Sequence, residues 1–213
     1  MRANERLVAS DGYEVALFPL EYLNMSQDEG GDYSHVGTYN IDFLGWNSSG
    51  RLYNCPIYAP CTMKVVATFL NYEGGNAVYF ESVNPVHLPN GQLDYLTIGF
   101  AHAFNPPYTR IGEIVQQGQI CYYTGEYGDA QGDHVHTCCG QGHYQGLTQR
   151  STGHWDLTNR IHYWEGVFVN DTTILQGYNH NWLIYNQPVP LNTIKSKFPW
   201  VLYARKLRNI SQK

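Results

Sequence analysis

The chain has 213 residues, 43% of them hydrophobic, enough to bury a sizeable core in one continuous body without disulfides. Its 18 acidic residues against 13 basic ones give a net charge of −5, which excludes electrostatically driven binding to a nucleic-acid backbone as a main function. Nowhere does a run of about 18 consecutive apolar residues occur, so no membrane-spanning helix is expected.

Eighteen tyrosines, five tryptophans and 21 glycines favour strands and turns over helices. Residues 1–30 read as an N-terminal lead-in. Their opening, "MRANERLVASDGYEVALFPLEYL", lacks an apolar stretch of signal-peptide length before a small-residue cleavage site. The expectation is a soluble protein that needs some other route if it acts outside a cell. Asn-x-Ser/Thr triplets begin at Asn24, Asn47, Asn170 and Asn209; without a secretory signal they are set aside as chance matches.

The stretch "YSHVGTYNIDFLGW", residues 33 to 46, holds the first candidate chemistry. His35 precedes a small turn, and Asp42 then stands in the apolar run Ile41, Phe43, Leu44. A carboxylate there costs several kcal/mol to desolvate unless it is paired or bound to a metal. Taken alone, Asp42 reads as a capping or turn residue.

Strands are expected over 62–70, 76–83, 93–103, 118–125 and 134–138, separated by the turn signals "NYEGGN", "NPVHLPNGQ", "NPPYTRIGE" and "GEYGDAQGD". The last turn has glycines but no Gly-Lys-Ser/Thr ending, so it leads into a strand rather than cradling a phosphate. Strands at this spacing indicate an all-β sandwich or barrel-like core.

That turn runs into "GDHVHTCCGQG", residues 132 to 142. On a strand, His134 and His136 share one face about 7 Å apart. With His35 and Asp42 upstream, the pattern points to a site of two histidines and one carboxylate, a set that suits catalytic Zn²⁺ with a position left open. A hydrolase built on it also needs a general base and an oxyanion stabiliser, which histidines supply in their neutral and cationic forms. The five cysteines, Cys55, Cys61, Cys121, Cys138 and Cys139, are odd in number and irregular in spacing. They read as buried reduced thiols, not as a disulfide framework or zinc ligands. His87, His143, His154, His162 and His180 belong to no motif and read as surface or packing residues.

After about residue 150 the chain turns strongly aromatic and ends basic, with further strands expected near 164–169 and 181–186. No Ser/Gly-rich linker or internal repeat marks a second domain, and one continuous body is favoured.

In the order "SHVGTYNIDFLGW", "CPIYAPCTMKVVA", "YLTIGFAHA", "RIGEIVQQGQICYYTG" and "GDHVHTCCG", the chain resembles the M23 zinc endopeptidases of the lysostaphin type, over about residues 33 to 140. The resemblance implies an antiparallel β-sandwich or open barrel-like core at 31–150, with an aromatic C-terminal extension, 151–213, packed on it or docked to partner proteins. It implies His35, Asp42 and His136 as zinc ligands and His102 and His134 as catalytic residues that orient or deprotonate water and stabilise the tetrahedral oxyanion. The implied activity is hydrolysis of the peptide cross-links of bacterial peptidoglycan, by a phage tail-tip or lysis enzyme that breaches the host wall. Such an enzyme sits in the virion tail or is released from the host cell. Its substrate is peptidoglycan peptides and its partners other tail proteins, with neither nucleic acid nor membrane involved. The lack of a basic wall-binding repeat module favours the virion.

Two departures stand out. Six residues separate His35 from Asp42 where the family commonly has three, and Thr137 and Cys138 follow the His-x-His where an apolar residue and Glu are usual. The competing expectations are a catalytically silent M23-fold component of a phage tail, and a zinc peptidase whose substrate is a protein outside the wall.

Overall fold

The computed structural model describes residues 3–169 and 172–176, and the strand Ile194–Lys197 by its backbone. The architecture is nearly all-β, with mixed sheets. The main sheet orders Ile114–Val115, Met63–Phe69, Ala77–Ser82, Leu96–Ala101, Val135–Gln141, Ile41–Phe43, Tyr22–Gln27 and Thr173–Gln176, with Arg160–Ile161 added beside Val135–Gln141. A second sheet orders Leu93–Asp94, Val86–His87, Glu14–Val15, Glu5–Val8 and Ile194–Lys197.

Strand formation follows the β-branched and aromatic content of these runs and their alternation. Met63 and Val65, then Val78 and Phe80, point into the core, while Lys64 and Tyr79 between them do not belong to it. The Leu96–Ala101 strand is buried along its whole length, as a central strand covered on both faces must be. It pairs antiparallel with Val135–Gln141 over six residues, from Leu96 opposite Gln141 to Ala101 opposite His136. This ladder is the platform on which the site stands.

The strand pairs within residues 31–150 are antiparallel as expected, and two pairings with segments outside that range make the sheets mixed. Val86–His87 runs parallel to Glu14–Val15, and Thr173–Gln176 runs parallel to Tyr22–Gln27. In both, one partner comes from an early segment and the other from far downstream, so the pair closes through long connections and not through a hairpin. The early segment enters the main sheet directly: Met25 faces Phe43, and Leu23 and Met25 are buried in the same core as Phe80 and Phe100.

A strand over 164–169 is not what forms. Tyr163–Gly166 is a single helical turn, the one helix among the described residues. Tyr163 and Trp164 are consecutive and both fully buried, which an alternating strand with one solvated face does not allow. The turn is closed by the Glu165 carboxylate, which accepts from the His162 N–H at 3.2 Å. It seats Trp164 against Phe43 and Phe18, with ring centroids 5.8 and 6.1 Å apart. The strand expected near 181–186 lies outside the described residues. Among the described residues, no helix is long and apolar enough to cross a membrane.

Candidate metal centre

Strand alternation resolves the position of Asp42. Ile41 and Phe43 are fully buried core residues, so Asp42 between them projects from the opposite face of the strand. There it is the direct cross-strand partner of His136. On the other side of the Val135–Gln141 strand, His136 is opposite Ala101, which places His102 one residue past the end of its strand. His134 precedes the same strand and bridges backbone to backbone with Gly125. His35 arrives from the connection between Tyr22–Gln27 and Ile41–Phe43, where its carbonyl accepts from the Thr38 N–H at 2.9 Å and the Thr38 hydroxyl at 3.0 Å.

Three potential ligand atoms meet at this point. His35 Nε2 lies 3.1 Å from His136 Nδ1 and 3.3 Å from Asp42 Oδ1, and His136 Nδ1 lies 3.0 Å from Asp42 Oδ1. Tetrahedral ligand atoms on zinc arms of about 2.0–2.1 Å stand roughly 3.3–3.4 Å from one another. The triangle therefore needs to open by only about a few tenths of an ångström to take such an ion. Its chemistry points the same way. Two imidazole nitrogens and a carboxylate oxygen converge at hydrogen-bond distance, and a cation relieves the repulsion among their lone pairs. Among the described residues this is the cluster of three or more His, Cys, Asp or Glu side chains able to hold a metal ion.

Backbone carbonyls set the tautomers. His35 Nδ1 faces the Asp28 carbonyl at 3.0 Å, His134 Nδ1 the Gly132 carbonyl at 2.8 Å, and His102 Nδ1 the Tyr127 carbonyl at 3.0 Å. A carbonyl only accepts, so each Nδ1 carries a proton, and in the neutral imidazole, the form that binds a metal, each Nε2 keeps a lone pair. For His35 that lone pair points into the triangle. His134 Nε2 lies 3.8 Å from Asp42 Oδ1, and the His102 ring centroid is 4.6 Å from that of His134 and 5.8 Å from that of His136. The structure thus brings His35, Asp42, His102, His134 and His136 into one cluster.

Desolvation opposes the charge on Asp42, but hydrogen bonds from His136 and His35 and their charge win, holding its carboxyl well below the usual carboxylate range. Desolvation by the surrounding protein, with the neighbouring His136 and His134, pushes His102 down to about 3, so it stays neutral at physiological pH. His136 is lowered by desolvation and by His35 and His134, against the pull of Asp42.

His102 also adopts a left-handed backbone, φ +85, uncommon for a residue with a side chain. Glycine on its neighbour makes room for it: a Cβ at Gly125 would stand 2.3 Å from the His102 carbonyl oxygen. Asp133, adjacent to His134, accepts from Asn54 N–H at 2.9 Å and from the Thr124 hydroxyl at 2.6 Å, fixing the turn that delivers His134. Sequence reasoning passes over Asp133 and the three carbonyls because neither a turn aspartate nor a backbone oxygen carries a motif.

The remaining candidates stand apart. His87, His143 and His162 pair with Asp11, Glu81 and Glu29, and His180 lies outside the described residues. All five cysteines are free and buried, and burial raises the Cys61, Cys121, Cys138 and Cys139 thiols well above their ordinary values and Cys55 to about 11.

Comparison with known proteins adds the following. No family model matches the chain. In sequence it is similar to Morphogenesis protein 1 of Bacillus phage B103, 30% identical over 176 residues, which is 81% of this chain and 45% of that protein. The chain thus spans less than half the length of this relative. In architecture it resembles the catalytic domain of the antimicrobial peptidase lysostaphin from Staphylococcus simulans, with a TM-score of 0.37, 21% identity, and coverage of 63% of this chain and 81% of that one. It also resembles a zinc-containing peptidase from Vibrio cholerae, with a TM-score of 0.40, 16% identity, and coverage of 63% and 40%.

Proposed function

We propose that the chain is a zinc endopeptidase that hydrolyses the peptide cross-links of bacterial peptidoglycan, acting from a phage particle or at host lysis. The observation that carries this reading is the convergence of His35 Nε2, Asp42 Oδ1 and His136 Nδ1 within 3.0–3.3 Å of one another, with His102 and His134 beside them. These three atoms would hold the ion. When bound, zinc supplies Lewis acidity, which polarises a peptide carbonyl and makes water nucleophilic near neutral pH.

His134 handles the proton, and His102 orients the water. His134 donates Nδ1–H to the Gly132 carbonyl, so its Nε2 is free to take a proton from the attacking water. Asp42 Oδ1, 3.8 Å away, stabilises the imidazolium that results. The Nε2–H so formed is a donor for the tetrahedral oxyanion and then for the leaving amine. His102, pushed down to about 3, is a poor base and acts as a fixed acceptor that orients water beside His134.

The motif order shared with lysostaphin-type peptidases supports the wall peptide as substrate. Similarity to Morphogenesis protein 1 of Bacillus phage B103 supports a place in a virion, with other tail proteins as partners. In this reading residues 31–150 carry the catalysis, and residues 151–213 are an extension packed on the core or docked to partner proteins.

The test is metal analysis of the purified chain, together with release of new amino termini from glycine-bridged and directly cross-linked peptidoglycans. Stoichiometric zinc and cleavage that His134→Ala abolishes, with zinc retained, are expected. Zinc without cleavage of any wall preparation would overturn the enzymatic reading in favour of a silent tail component, and cleavage of a non-wall protein alone would redirect the substrate.

A further inference from the structure

The six residues between His35 and Asp42 are pinned by a segment that lies more than a hundred residues downstream. Thr152 Oγ1 donates to the Val36 carbonyl at 2.6 Å and Arg160 Nη1 to the Gly37 carbonyl at 2.8 Å. Asn40 Nδ2 donates to the Trp155 carbonyl at 2.9 Å, and Tyr39 N–H to Asp156 Oδ2 at 2.9 Å. The Tyr39 ring lies against His162, with centroids 4.1 Å apart at 20°, and under the Arg160 guanidinium at 4.2 Å. From the other end of the connection, Glu29 reaches back, accepting from His162 Nδ1 and Tyr163 N–H at 2.6 Å each. Glu29 follows Asp28, whose carbonyl orients His35.

Asp156 is the centre of this clamp. It is 1% exposed, and a buried carboxylate is retained only where charge and hydrogen bonds compensate it. Its Oδ2 accepts from both Tyr39 N–H and Arg160 Nη1, and its Oδ1 from Leu157 N–H at 2.8 Å. One carboxylate thus ties the inserted loop to the cation that also caps that loop's Gly37 carbonyl. A six-residue connection left free would have to lose its conformational freedom each time a metal bound. We propose that residues 150–163 hold His35 and Asp42 in metal-binding geometry, with Asp156 as the central positioning residue and Arg160 as its partner. The clamp grips Val36, Gly37, Tyr39 and Asn40, four of the six residues between the two ligands. This inference rests on the zinc-site reading above.

The experiment uses the full chain and its Asp156→Asn, Arg160→Ala and Glu81→Gln variants. Each is measured for zinc affinity by chelator competition, for the visible spectrum of its cobalt(II) form, and for thermal midpoint without metal. Glu81 is the matched control, a buried carboxylate that holds Tyr144 N–H at 2.8 Å and sits opposite Thr97, four residues along the strand from Ala101. Asp156→Asn and Arg160→Ala are expected to weaken zinc binding about tenfold to hundredfold, the usual range for groups that orient ligands, and to alter the cobalt spectrum. Glu81→Gln should change zinc affinity less than about twofold. If Asp156→Asn does not fold, Arg160→Ala carries the test, since that side chain is a quarter exposed. Unchanged affinity and spectrum in the clamp variants overturn this inference and leave the zinc site standing, as does an equal loss in Glu81→Gln. A wild-type chain that takes up no cobalt overturns both readings.

Discussion

His136 and Asp42 are direct partners across two antiparallel strands, and their facing atoms, Nδ1 and Oδ1, stand 3.0 Å apart. Directly opposite side chains have Cβ atoms about 4.5–5.5 Å apart, so the ladder itself fixes two corners of the triangle before any loop is placed. Asp42→Asn keeps the shape and one oxygen but removes the charge. It is expected to lower zinc affinity by more than about a hundredfold, beyond what loss of a ligand-orienting group costs. Chelator competition on the folded variant checks this, and affinity within about tenfold of wild type would show that Asp42 is not a ligand.

The chemistry-bearing residues are legible because two of them stand two residues apart at the start of one strand and a third interrupts an apolar run. Alternation explains why the carboxylate in "IDF" is neither a cap nor a turn: Ile41 and Phe43 occupy the core, so Asp42 must take the other face. Less is legible where a position depends on backbone geometry or distant partners. The carbonyls of Asp28, Gly132 and Tyr127 decide which imidazole nitrogen faces inward, yet every residue has a carbonyl. The parallel pairing of Thr173–Gln176 with Tyr22–Gln27 joins two short runs almost 150 residues apart in sequence, and no local signal announces it. The helical turn at Tyr163 escapes a periodicity reading because four residues span barely one period.

His134 and His102 lie beside the triangle and contribute no corner to it. His134→Ala should retain zinc near wild-type affinity and lower peptidoglycan cleavage by about 10²–10⁴-fold, the range for removal of an acid–base group. His102→Ala, which removes a water-orienting acceptor, should also retain zinc and cost less than His134→Ala. Metal content and amino-terminus release measured on the same preparations separate the two effects. Loss of zinc in His134→Ala would move that residue from proton transfer to ligation.

The thiols should be inert in the folded chain. The thiolate is the reactive form, and burial raises all five thiols, Cys55 to about 11 and the others well above their ordinary values. A disulfide-exchange reagent at pH 8 is expected to find no fast-reacting group in native protein and all five after denaturation. A thiol that zinc protects in the native chain would reopen cysteine as a ligand.

Trp164 tests whether the residues beyond 150 belong to the core. Its ring is fully buried between Phe18 and Phe43, within 6.1 Å of both centroids. Trp164→Ala should destabilise the chain by about 3–5 kcal/mol through lost burial and the cavity left behind. Urea denaturation gives the value, and a cost below about 1 kcal/mol would place this turn outside the cooperative unit.

The metal-free chain should weaken in acid because of two histidines. Folding lowers His102 to about 3 and also lowers His136, against about 6.5 in an unfolded chain. Between these values the unfolded state binds more protons than the folded one, so stability is full above pH of about 6.5 and falls as the pH drops toward 3. Asp42, held below its unfolded value of about 3.9, adds a second loss at still lower pH. Denaturation midpoints of the chelator-treated chain at pH 7.5 and 4.5 measure the first loss, with about 6.5 as its upper edge. His102→Gln, which cannot titrate, should show a smaller drop than wild type. An equal drop in both proteins would mean that His102 is not the group taking up the proton.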